Sequence, residues 1–140
     1  MEAKVIWKSS GLAFNGTADS GHFIALGGHD EIGTPNDGFR PVELLAVGLA
    51  GCTAMDVISI LQKKKENVLS FEVSVHADRA EEYPKVFTQA EILYHITGSG
   101  INPASVERAI ELSNTKYCPA FAMLSKSFPI MVRYEITEVE

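Results

Sequence analysis

The 140-residue chain carries only two cysteines, Cys52 and Cys118. Two are too few for a disulfide-stapled secreted domain, and a chain this long can bury a core without staples. There is no Cys-x-x-Cys, and His22, His29, His76 and His95 show no metal-ligand spacing, so no metal site is expected. Positive charge is also scarce: twelve basic residues face eighteen acidic ones, for a net charge of -6, and the only dense basic run is Lys63-Lys64-Lys65. A nucleic-acid binder shows a basic stripe and a membrane-surface protein a polybasic cluster, so neither partner is expected. The uncharged run between Glu43 and Asp56 is 12 residues, short of the ~20 that a bilayer requires. Residues 1–8 lack the cationic start, apolar region and cleavage site of a signal peptide, which makes the reducing cytosol the expected compartment. Internal repeats and low-complexity tracts are absent.

What is present is an ordinary globular composition, 46% apolar and 21% charged, sized for one domain over residues 1–140. Ala3 to Lys8, Leu12 to Ala18 and His22 to Leu26 read as short strands, and residues 29 to 40 as a loop rich in turn formers. Pro41 suits a first helical position, and Val42 to Leu61 reads as a helix closed by the cationic Lys63-Lys64-Lys65. Between Leu44 and Met55 nearly every position is apolar or small on all sides, so this helix should be surrounded by sheets or by a second subunit. Gly48 and Gly51 on it would admit another backbone. Val68 to Ala77 and Val86 to Thr97 alternate as a long antiparallel hairpin. Asn102 and Pro103 open a second helix running to about Thr115, a short helix covers Ala120 to Ser125, and Ile130 to Val139 alternates as a final strand. The fold class expected is α+β: a mostly antiparallel sheet wrapped around a long buried central helix, with a second helix alongside, built as an intertwined homodimer.

A cytosolic cysteine is commonly just a small hydrophobe. Cys52, however, is flanked by Ala50, Gly51 and Thr53, which keep bulk away from its thiol, and Cys118 precedes Pro119 as a candidate N-cap of the short helix. On the residues alone, that helix N-terminus makes Cys118 the better thiolate. Asp56 falls one helical turn after Cys52, where an unpaired carboxylate would disfavour a thiolate.

Gly38-Phe39-Arg40-Pro41-Val42-Glu43-Leu44-Leu45, then Gly51-Cys52-Thr53-Ala54-Met55-Asp56-Val57, then Tyr117-Cys118-Pro119, resemble the OsmC/Ohr superfamily over essentially the whole chain. Arg79 to Phe87 looks closest to its YhfA-like branch. The resemblance implies an enzyme: an intertwined homodimer that reduces organic hydroperoxides through two cysteines, with no metal or organic cofactor and with a dithiol reductant to restore it. Cys52 would be the peroxidatic nucleophile and Cys118 the resolving thiol. Hydroperoxide-resistance members pair an upstream arginine with a glutamate ten residues before the first cysteine; here that position is Val42, the nearest acid is Glu43, and no arginine precedes Arg40. Arg40 is therefore the candidate for holding the thiolate, with Arg79 and Arg108 next. Glu43, ~13 Å along a helix from Cys52, would act through Arg40 or across a dimer. The rival reading, from another class, is a dimeric non-catalytic protein that binds a small apolar or acyl ligand in an interface pocket lined by the thiols.

Overall fold

A computed structural model describes residues 1–28 and 36–140. His29 and most of the expected 29–40 loop lie outside the described residues. The chain divides into two compact units, Met1–Leu45 and Ala46–Glu140.

In the first unit β1 (Ala3–Trp7), β2 (Phe14–Ala18) and β3 (Phe23–Leu26) form an antiparallel sheet in that order. The three strands match the alternation and the turn formers between them. Beyond β3, Phe39 pairs with Leu26 in a parallel bridge, donating its N–H to Ala25 and accepting from Gly27. Gly38 makes this possible, because a Cβ there would lie 2.6 Å from the Ala25 carbonyl carbon and oxygen. The close approach delivers Arg40 to the start of α1 (Pro41–Lys63). Glu43 closes that helix end, its Oε2 accepting the Arg40 N–H at 3.2 Å in the reciprocal half of a capping box.

The second unit holds the rest of α1 and a second sheet, in the order β4 (Asn67–Arg79), β5 (Phe87–Ser99), β6 (Ile130–Glu138). β4 and β5 form the long antiparallel hairpin, pairing Phe71 with Ile96, Val73 with Tyr94 and Val75 with Ile92. β6 runs parallel to β5, setting Ala90 against Ile130 and Tyr94 against Tyr134. Alternation within a strand reveals its faces and not its direction, so this orientation was not legible in the sequence. It follows from the crossover: after β5 the chain passes through α2 (Pro103–Leu112) and α3 (Pro119–Leu124) before it returns to the sheet.

Asn102 caps α2 as expected, its Oδ1 accepting from the Ala104 N–H at 3.0 Å. The helix does not simply run on to Thr115. It ends at Leu112 and widens into a π-helical turn, Ser113–Tyr117, closed by the Cys118 N–H donating to the Ser113 carbonyl at 2.8 Å. Such a turn inserts one residue into a helix and re-aims the chain beyond it.

The core of the second unit is a stripe on α1 meeting β5 and α2. Leu49, Val57 and Leu61 pack with Ile92, Tyr94 and Ile96 and with Val106, Ala109 and Ile110. Thr53 completes the stripe, fully buried. By length and composition α1 could cross a membrane, with a mean hydropathy of 2.0 over 18 residues; the 12-residue uncharged run understates how apolar it is. Its fourfold-spaced stripe is instead the spine of this core. The remaining apolar surface of α1 is exposed within one chain: Leu45, Val47 and Met55 are 51%, 52% and 74% accessible.

Candidate functional site

Cys52 sits mid-helix on α1, next to the buried stripe residue Thr53, and is half-buried; Cys118 is buried at the mouth of α3. Both thiols are free. Though 66 positions apart in sequence, the two thiols are near enough that Cys52 disfavours ionisation of Cys118. The crossover brings the second thiol back to the helix that carries the first.

Cys118 is the N-cap of α3, its Sγ accepting the Phe121 N–H at 3.3 Å. The expectation that this position would favour a thiolate is reversed. Burial pushes the thiol up from 9.0 to about 11, and the single Phe121 N–H opposes it too weakly. Nearby Cys52 and Asp56 push in the same direction. A six-residue helix brings a short stack of dipoles to set against desolvation. At neutral pH Cys118 is therefore a neutral thiol and a proton donor.

The raised pKa means that the fold favours the neutral form of Cys118, a contribution complete below about pH 9 and lost as pH rises to about 11. The stability of the native protein relative to a Cys118→Ser variant is expected to fall across that window in urea unfolding. A difference that stays flat from pH 8 to 11 would contradict this ionisation state.

Asp56 is not left bare beside the thiols. Its Oδ2 accepts from the Ser113 hydroxyl at 3.0 Å. Ser113 lies 2.8 Å from the Thr53 hydroxyl, which lies 2.7 Å from the Tyr94 hydroxyl. Thr53, Tyr94 and Ser113 are each fully buried. The Asn114 Oδ1 beside them is buried without a partner. Burial raises the Tyr94 pKa, so the phenol stays protonated. Sequence reasoning singled out Asp56 but missed Thr53, Tyr94 and Ser113. The available signal was a carboxylate and a threonine on one side of an otherwise apolar helix.

Arg40 and Glu43 belong to the first unit. Arg40 Nη1 pairs with Glu43 Oε1 at 3.0 Å, and both side chains are partly exposed. The two line a cavity of about 390 Å³ with Phe39, Gly38, Asn36 and Ala25. Glu43 thus acts on Arg40 as well as on the helix end. Of the other candidate arginines, Arg79 donates to the Lys85 carbonyl within the hairpin link and Arg108 pairs with Glu111 at 3.3 Å.

The OsmC-like protein family model matches residues 33–133. The chain belongs to the OsmC-like family. It is 38% identical to Protein YhfA of Escherichia coli K12 over 136 residues, covering 97% of this chain and 98% of that one. Among solved structures it resembles a hypothetical protein from Aquifex aeolicus VF5, with 28% identity, a TM-score of 0.85 and coverage of 99% and 97% of the two chains. It also shares its fold with an organic hydroperoxide resistance protein OsmC from Legionella pneumophila, at 17% identity and a TM-score of 0.70, over 96% and 95% of the two chains. The α+β architecture of this OsmC-like protein, with two three-stranded sheets and three α-helices among the described residues, is that of the family.

Proposed function

We propose that this OsmC-like protein is a thiol-dependent peroxidase that reduces organic hydroperoxides with two cysteines. The observation that carries the reading is that Ser113 bonds Thr53, the neighbour of Cys52, with its side chain and the Cys118 N–H with its carbonyl, so both cysteines meet at one point of the fold, where burial keeps Cys118 neutral. A thiol held neutral suits the resolving role, and Cys52 is proposed as the nucleophile. The name of the Legionella pneumophila protein, organic hydroperoxide resistance protein, supports the substrate class.

In the first step the Cys52 thiolate attacks the terminal oxygen of the hydroperoxide. The O–O bond breaks, Cys52 becomes a sulfenic acid, and the alkoxide leaves as an alcohol after taking up a proton. In the second step Cys118 attacks the Cys52 sulfur. The S–S bond forms, the S–O bond breaks, and the hydroxyl leaves as water with the Cys118 proton. A dithiol then reduces the disulfide by two exchange steps and is itself oxidised. Arg40 is proposed to stabilise the Cys52 thiolate, with Glu43 orienting its guanidinium. The chain needs no cofactor for this cycle.

The working form is proposed to be a cytosolic homodimer of single-domain chains. Support comes from the apolar surface that one chain leaves open on α1. A cavity of about 370 Å³ lies there between Ala50, Gly51 and Ala54 of α1 and Val73 and Val75 of β4. Nothing lies within 4 Å of a Cβ placed at Gly48 or at Gly51. Gly48→Leu is therefore expected to leave the chain folded, helped by about 1 kcal/mol of helix propensity, while shifting the dimer toward monomer in sedimentation. A native protein already monomeric and folded at micromolar concentration would contradict the dimer.

The activity is tested by the rate at which the protein consumes an organic hydroperoxide at neutral pH. The reading predicts consumption far faster than by free cysteine. Equal rates would contradict it and favour the non-catalytic binding protein.

A further inference from the structure

We propose that Tyr94, Thr53, Ser113 and Asp56 form a one-directional hydroxyl chain that holds Cys118 in position to reach Cys52. Three separate elements meet in it: β5 through Tyr94, α1 through Thr53 and Asp56, and the π-helical turn through Ser113.

The direction follows from counting protons. An ionised carboxylate only accepts, and each hydroxyl has one proton to give. Ser113 spends its proton on Asp56, 3.0 Å away. The 2.8 Å contact between Thr53 and Ser113 must then be donated by Thr53. The 2.7 Å contact between Thr53 and Tyr94 must in turn be donated by Tyr94. Asp56 thus orders three buried hydroxyls, and no proton is left over for an alternative arrangement.

Each cysteine hangs directly from this chain. Cys52 is the residue before Thr53. The Cys118 N–H donates to the backbone carbonyl of Ser113, the bond that closes the π-helical turn. Ser113 therefore ties the turn to α1 with its side chain and to Cys118 with its main chain. Burying three hydroxyls costs desolvation that apolar residues would avoid, so such a network contributes more to a unique geometry than to stability. Here the geometry is that of the two sulfurs. These are positioning residues; none of them reacts. Small misplacements of a reacting group slow a reaction by ~10- to 100-fold.

The inference rests on the reading that Cys118 resolves Cys52, and its test is independent of peroxide. Treatment with dithiobis-nitrobenzoate converts Cys52 to a mixed disulfide and releases one coloured thiolate. Attack of Cys118 on the Cys52 sulfur then releases the second and leaves the Cys52–Cys118 disulfide. Thr53→Val keeps the shape and removes the hydroxyl, whereas Thr53→Ser keeps the hydroxyl and loses a methyl. The second phase is expected to slow about tenfold or more in Thr53→Val, with the first phase within about twofold of native. Thr53→Ser is expected to restore most of the second phase. A native second-phase rate in folded Thr53→Val would overturn the proposal. So would a Thr53→Ser variant as slow as Thr53→Val, since packing would then be the cause. If Thr53→Val does not fold, Tyr94→Phe breaks the same chain at its end and should show the same selective slowing; an unchanged second phase there would overturn it. Native protein inert to hydroperoxide, combined with selective slowing here, would refute the peroxidase reading and leave this one standing.

Discussion

Cys52→Ser is expected to abolish reaction with organic hydroperoxides, lowering the rate by about a thousandfold or more, because a serine hydroxyl is a poor nucleophile without an activating base. Cys118→Ser should behave differently. Its nucleophile is intact, so one equivalent of hydroperoxide should still be consumed at close to the native rate. The resulting sulfenic acid has no partner thiol, and excess peroxide should carry it on to sulfinic acid. The asymmetry is what discriminates. Two inert core cysteines would give two silent variants. The reverse asymmetry, with Cys118 reacting and Cys52 resolving, would restore the helix N-terminus argument, which burial of Cys118 opposes.

On the proposed role of Arg40, Arg40→Ala is expected to slow the first step by about tenfold or more while leaving the fold intact, since a cation brought beside a thiol shifts it by ~1–3 pK units toward its thiolate. The Arg40–Glu43 pair is partly exposed, and such a pair contributes only about 0–1 kcal/mol to stability. Thermal unfolding should therefore barely move. Glu43→Gln should weaken the helix cap as well as the ion pair and cost more stability than Arg40→Ala. Unchanged peroxide kinetics in Arg40→Ala would reduce Arg40 to a surface ion pair.

Most of the secondary structure was legible because each element carries a local signal. Asn102 and Pro103 mark the start of α2, and the alternation Phe71, Val73, Val75 against Ile92, Tyr94, Ile96 marks the hairpin. Cys118 preceding Pro119 likewise marks the cap of α3. What was hidden depends on contacts distant in sequence. The parallel pairing of β6 comes from the crossover, and the π-helical turn comes into view only where the Ser113 side chain bonds Thr53 and Asp56 of α1, some sixty residues earlier. The charge state of Cys118 was misjudged for the same reason: a helix N-terminus is visible in sequence, whereas the desolvation that outweighs it is not. Thr53 and Tyr94 sit in the apolar periodicities of α1 and β5 and read there as core positions, and nothing in the sequence marks Ser113 or lines up the three hydroxyls.

The central claim is that Cys52 and Cys118 act as one redox pair, and intact-protein mass spectrometry after one equivalent of organic hydroperoxide tests it most directly. The account predicts a chain lighter by two hydrogens, with no titratable thiol and with Cys52 joined to Cys118 in a single peptide pair after digestion. An unchanged mass with both thiols still free would contradict it.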